Sequence, residues 1–287
     1  MIVDSHPHIL AEDTVKYPID PIGGVRSTWS VGVSFTVEEL LAHMDEAQVA
    51  AATIVQASTV YGNDNSYVAD SVSRYPERFI GVGGIDPRLP DALTRLDYWV
   101  RNRGLAGMRI FAGGSTFGGA AWLDDPALNA FWDLATSLKV PLHLQVRFED
   151  TARAGAIAAA HPNLPIVLDT LALMPVDDGP RFGSAQPVFD LARYPNVLLK
   201  VTNLNLEAAV TPRSTPQALI AALIGVFGAR RIMWGSNFPN TRPSGEAPYA
   251  ALVDEAQSAL RECSLEERNW ILAGTACACY PRLKGLL

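Results

Sequence analysis

Residues Val3 to Ile9 read VDSHPHI, an apolar pair Ile2 and Val3 running into two histidines two positions apart. A strand repeats its side-chain direction every two residues, so His6 and His8 are expected to point to the same side and to converge on one ion or substrate. That places a site at the end of a first strand. The plain alternative is a loop pair making ordinary hydrogen bonds, because short motifs match by chance.

Outward from this strand, short apolar runs alternate with segments of helical periodicity. Strands are predicted at Ile2 to Ser5, Ala52 to Ala57, Phe79 to Ile85, Ala106 to Phe111, Val140 to Val146, Pro165 to Asp169, Val197 to Val201 and Arg231 to Ser236. Between them, helices are expected from Thr36 onward and near Asn65 to Tyr75, Pro90 to Asn102, Pro126 to Leu138, Asp150 to Ala160, Gln186 to Tyr194 and Pro216 to Phe227. Thr36 has the chemistry of an N-cap, with Glu38 and Glu39 in the first turn. Near-continuous apolar strands argue for a parallel sheet covered on both faces, and eight β-then-α units predict a (β/α)8 TIM barrel. A doubly wound sheet is disfavoured because no GxGxxG follows the first strand and the polar residues gather at strand ends. The whole chain, 1–287, reads as one domain, with residues from Pro248 onward forming helices that close the bottom and side. Ala11 to Ser34, Ala112 to Asp125 and Pro239 to Pro248 are expected as loops over the mouth.

Composition sets the context. The 287 residues are 48% hydrophobic and carry 23 Lys and Arg against 30 Asp and Glu, a net charge of −7. With no basic run, neither nucleic acid nor a membrane surface is an expected partner. Cys263, Cys277 and Cys279 are an odd number near one end, which suits a reducing cytoplasm and small packing residues better than disulfides. No apolar run reaches the length of a membrane span, and the N-terminus lacks a basic region followed by an apolar one.

Arg109 ends the fourth strand in GMRIF; an arginine in an apolar strand is costly unless paired, so it either faces the mouth or forms a salt bridge across it. Gln56, Gln145 and Arg147 end strands two and five, Lys200 lies in a buried-looking run of strand seven, and Tyr61, Asn63 and Asn65 lie in a YGNDN loop. Asn63 and Asp64 could equally be turn formers. Trp29, Trp122, Trp234 and Phe238 are candidates for an apolar wall or for ordinary core. His43 reads as a helix-surface residue and His161 as a loop closer before Pro162.

VDSHPHI, VQASTVYGNDNSY, RYPERFIGVGGIDP, LAGMRIF, HPNLPIVLDT, NVLLKVT and IMWGSNFP together resemble the amidohydrolase superfamily, in its amidohydrolase-related branch of decarboxylases and small-lactone hydrolases. The resemblance runs nearly end to end. It implies a divalent metal, zinc above all, held by His6, His8 and His143. It also implies a strand-six histidine where this chain has Thr170, and a strand-eight aspartate, both ligand and general base, where it has Asn237. Three imidazoles can hold zinc, and Asn237 could still offer a carbonyl oxygen, but an amide cannot accept a proton near neutral pH. Asp4 and Asp169, each neighbouring a site position, are expected to point away.

The implied site therefore takes Arg109 and Asn237 as catalytic residues, with Gln56, Tyr61, Asn63, Asn65, Gln145, Thr170 and Lys200 around a small-molecule substrate. The implied activity is hydrolysis of a small cyclic ester or amide, with or without the metal. Two alternatives stand beside it: a catalytically depleted partner of a metal-complete paralogue in a hetero-oligomer, and a metal-dependent decarboxylase. A homo-oligomer is the other expected assembly.

Overall fold

A computed structural model describes residues 1–113, 119–239 and 248–286. The expected loops Ala112 to Asp125 and Pro239 to Pro248 lie partly outside these described residues. Eight strands form one sheet in chain order: β1 (Val3–Asp4), β2 (Ala51–Val55), β3 (Phe79–Gly84), β4 (Gly107–Phe111), β5 (Leu142–Gln145), β6 (Ile166–Leu168), β7 (Val197–Thr202) and β8 (Ile232–Gly235). Every neighbouring pair from β1 to β8 is parallel. The cylinder closes where Ser5 N donates to Trp234 O at 3.2 Å, making this the expected (β/α)8 barrel.

Helices α1 (Val37–Glu46), α2 (Ser58–Tyr61), α3 (Ser66–Arg74), α4 (Ala92–Asp97), α5 (Asn129–Ser137), α6 (Thr151–Ala160), α7 (Gln186–Phe189), α8 (Asn203–Ala208) and α9 (Pro216–Phe227) are interleaved with the strands. Thr36 caps α1 through a reciprocal box with Glu39, as its sequence position predicts. The apolar strands and inward helix faces form one large core between sheet and helices. Apolar burial at roughly 25 cal/mol per Å2 makes this layer the main stabiliser.

The tail continues as α10 (Tyr249–Ala259), α11 (Leu265–Asn269), α12 (Thr275–Cys279) and α13 (Pro281–Lys284). A second apolar cluster joins Ala276, Cys277, Tyr280 and Leu283 of this tail to Val3, Ile80, Val82, Val167 and Met233 of the strands. The tail thus floors the barrel, and Cys277 is a packing residue, as expected. Among the described residues no helix is long and apolar enough to cross a membrane.

Candidate active site

The first strand is shorter than expected: β1 stops at Asp4, before the histidines. Strand alternation therefore is not what brings His6 and His8 together. Instead Asp4 Oδ1 accepts from His6 N at 2.9 Å and from Ser236 N at 2.8 Å, pinning the chain just past β1 to the chain just past β8. Asp4 Oδ2 accepts from Tyr249 Oη in α10, so Asp4 faces outward as its position predicts. Gly235 permits the turn, since a Cβ there would stand 2.5 Å from His6 Cβ. The two imidazole rings end edge to face with centroids 5.0 Å apart.

His8 Nδ1 lies 2.7 Å from Val55 O. A carbonyl only accepts, so Nδ1 carries the proton and Nε2 keeps its lone pair. Burial, reinforced by the Arg109 charge, lowers the His8 pKa to about 4, so the ring is neutral near pH 7. His6 is fully buried and its two ring nitrogens have no hydrogen-bond partner among the described residues.

Register explains the rest of the cluster. Arg109 on β4 pairs with His143 on β5, and Leu168 on β6 pairs with Leu199 on β7, which sets the next residues, Asp169 and Lys200, at one level. Asp169 is the residue that the sequence reading missed. The expectation that it points away assumed that the strand continued to Thr170, but β6 ends at Leu168. Thr170 to Leu173 then run through left-handed backbone with φ between 49° and 54°. Asp169 keeps the parity of Val167 and turns into the barrel, while the turn carries Thr170 up to the mouth. Left-handed backbone in four successive non-glycine residues costs roughly 1–2 kcal/mol each, which the surrounding packing must offset.

Asp169 is the hub of this cluster. Its Oδ2 accepts from Arg109 Nε at 2.8 Å, and its Oδ1 lies 3.1 Å from Lys200 Nζ and 3.2 Å from His143 Nδ1. Burial by itself would raise this carboxyl, yet the charges of Lys200, His6, His143 and Arg109 prevail and hold it well below the usual carboxylate range. Lys200 Nζ also lies 2.9 Å from His143 Nδ1, and His143 Nε2 is hydrogen-bonded to the Tyr280 hydroxyl of the floor. An ammonium only donates, so His143 accepts at Nδ1 and carries its proton on Nε2. Burial and the adjacent Lys200 charge push its pKa down to about 4.

Above this cluster opens a cavity of about 280 Å3 lined by His8, Trp29, Arg109, Gln145, Thr170 and Asn237, among others. Arg109 anchors its inner end, with Nη2 donating to Gln145 Oε1 at 2.9 Å. Trp29 stacks on His8 with centroids 5.7 Å apart. Both readings of Arg109 therefore apply: it bridges to Asp169 and it faces the mouth. Lys200 and His143 are wholly buried beneath the cavity and do not line it.

The side chains of the YGNDN loop and of Gln56 bond within their own surroundings. Gln56 Nε2 donates to the carbonyls of Gly62 and Asp64, Asn65 brackets Gly84 with one bond in each direction, and Tyr61 Oη accepts from Ala11 N. These side chains brace the loop. Asn63 borders a separate, larger groove of about 780 Å3 with Asp20, Asp64, Asp86 and Arg88, away from the histidines. Of the aromatic candidates only Trp29 reaches the cavity lining: Trp234 Nε1 donates to Asn203, Phe238 packs on Phe35 and Tyr249, and Trp122 stacks under Arg88. His43 is partly exposed on α1 and His161 pairs with Asp133, both outside the site.

The expected three-histidine metal site does not fit this donor set. His143 has both ring nitrogens engaged, and the Lys200 ammonium stands where its bond to an ion would form. His6 and His8 alone fall short of the three protein ligands that a catalytic zinc takes. Among the described residues no group of three or more His, Cys, Asp or Glu side chains is arranged to hold a metal.

Comparison with known proteins agrees with this architecture. The chain is 28% identical over 233 residues to the L-fucono-1,5-lactonase of Burkholderia ambifaria, covering 79% of each protein. It superposes with a TM-score of 0.77 on a probable 2-pyrone-4,6-dicarboxylic acid hydrolase from Acinetobacter baumannii solved with citric acid bound, at 17% identity over 98% of this chain and 99% of that one. A zinc-bound amidohydrolase from Burkholderia multivorans also superposes with a TM-score of 0.77, at 22% identity over 98% of this chain and 99% of that one. Residues 3–282 match the amidohydrolase family model, and the chain belongs to that family.

Proposed function

We propose that this amidohydrolase opens a small lactone by hydrolysis, using Arg109 as electrophile and His8 as base. The observation that carries the reading is the 280 Å3 cavity that both side chains line together with Gln145 and Asn237. The relative named an L-fucono-1,5-lactonase supports the lactone class.

Arg109 is held by Asp169 through Nε and by Gln145 through Nη2, which aims the remaining guanidinium donors at the cavity. A lactone carbonyl docked there is polarised by a charge already fixed in place before the substrate arrives. Water adds to the carbonyl carbon and its proton passes to His8 Nε2. As the oxyanion forms against Arg109 it cancels part of the positive field that depresses His8, so the imidazole becomes more basic as the proton arrives. The ring C–O bond then breaks, the leaving alkoxide takes the proton from His8, and a hydroxy acid leaves, releasing its carboxyl proton to solvent as the carboxylate. This gives the base role to His8, since the Asn237 amide cannot fill it. Asn237, at φ 58°, occupies a left-handed position that asparagine tolerates better than most residues, and it lines the same cavity.

Acid release from a panel of 1,5- and 1,4-aldonolactones, including L-fucono-1,5-lactone, tests the proposal. We expect saturable hydrolysis of at least one member and its loss in His8→Asn and Arg109→Met. Wild-type rates no higher than those of His8→Asn and Arg109→Met across the whole panel would refute lactone hydrolysis.

A further inference from the structure

The least ordinary group in the molecule is Lys200, a lysine with no solvent exposure in the middle of β7. Removing an ammonium from water costs several kcal/mol, and only close partners make such burial tolerable. Its partners are the two groups a metal ion would use: Asp169 Oδ1 at 3.1 Å and His143 Nδ1 at 2.9 Å. A carboxylate oxygen and an imidazole lone pair converging on one point are a cation site, and here the cation is covalently part of the chain.

We infer that the Lys200 ammonium is the resident cation of this site, taking the place a divalent metal would occupy beside His143 and Asp169 and positioning Arg109 through Asp169. The geometry links it to the cavity in two steps. Lys200 binds one oxygen of Asp169, and the other oxygen binds Arg109 Nε, so the carboxylate cannot rotate without breaking both contacts. Lys200 also fixes the His143 tautomer, because only an unprotonated Nδ1 can accept from it. A dication at the same spot would sit against both the ammonium and the nearby guanidinium. Like charges in a dry site repel strongly, so lysine and metal exclude each other. Lys200 touches neither cavity nor substrate and is a positioning residue.

Removal of the lysine should therefore create a metal site. In Lys200→Met, His143 Nδ1 and Asp169 Oδ1 lose the ammonium between them, and with His6 Nδ1 3.9 Å from that oxygen they make three ligands that zinc or cobalt can draw into coordination. The test is equilibrium dialysis of the whole protein against Zn2+, followed by metal analysis, with Co2+ visible absorption as the reporter of coordination. For wild type we expect substoichiometric zinc and no cobalt d–d bands; for Lys200→Met, close to one zinc per chain and a band pattern of low coordination number. Lys200→Leu, which also removes the charge and the donor, serves if the methionine variant fails to fold and carries the same expectation. Stoichiometric, histidine-bound cobalt in wild type overturns the inference, as does a folded variant that takes up none. Metal content is read without substrate, so this result and the lactone assay fail independently.

Discussion

Arg109 Nε donates to Asp169 Oδ2 at 2.8 Å, and that bond ties the middle of β4 to the residue just past β6, beneath the mouth cavity. The pair is almost fully buried, with 8% of the arginine side chain exposed and none of the aspartate. A guanidinium suits this place because its fork can bind Asp169 and Gln145 together and still present donors upward.

Arg109→Met should lower kcat/KM for the responsive lactone by about 100- to 1,000-fold, the usual cost of removing a preorganised oxyanion donor. It should also destabilise the fold by roughly 3 kcal/mol, the lower end for a broken buried pair, because Asp169 keeps Lys200. Arg109→Lys keeps the charge but not the fork, so stability should recover further than activity. Steady-state kinetics beside urea unfolding separates the two effects, and full activity in the lysine variant would mean that charge alone suffices.

As the proposed base, His8 should set the acid limb of the rate profile. Burial and Arg109 hold it at about 4 in the free protein, and kcat/KM reports free-enzyme ionisations. The limb is therefore expected near pH 4, well below the 6.5 of an ordinary histidine. A limb near 6.5 would assign the base to a more exposed group.

The same shifts make stability depend on pH. His8 and His143 are each held at about 4 in the barrel and relax to about 6.5 on unfolding. Between those values the unfolded chain binds protons that the folded chain refuses, so stability rises with pH across that window. Each ring contributes about 3 kcal/mol by this linkage, offset near the acid end by Asp4, which burial raises. Urea midpoints should climb from pH 4 to pH 6.5 and then level. His143→Gln should flatten the climb; an unchanged slope would move the linkage elsewhere.

What the sequence allowed and what it hid follow from the range of each interaction. The strands were legible because β-branched and apolar runs between turns reflect local burial, and even the Thr36 cap was written within four residues. Arg109, His8, Gln145, Thr170 and Asn237, picked out near the carboxyl ends of strands where a barrel gathers its polar groups, all line one cavity. Asp169 was misjudged since strand parity fails once the chain leaves the ladder, and nothing in LDTLAL announces a left-handed turn of non-glycine residues. The side chains of Gln56 and of the YGNDN loop bond to carbonyls and amides of their own neighbourhood. Such local satisfaction is invisible to residue type alone.

Tyr280 shows the longest-range case, because it reaches the site from the opposite end of both chain and barrel. It is 137 residues from His143, yet its hydroxyl meets Nε2 of that ring inside the floor cluster. With Lys200 donating to Nδ1, the His143 proton must sit on Nε2, and Tyr280 supplies its acceptor. Tyr280→Phe leaves that N–H buried without a partner, at a cost of roughly 1–3 kcal/mol. The ring can then recover a bond only by moving its proton to Nδ1, toward Asp169 and against Lys200. We therefore expect a lower urea midpoint and a shift of the His143 15N resonances toward the other tautomer, with the mouth lining unchanged. Wild-type stability together with an unmoved tautomer would mean that the floor does not set the protonation of His143.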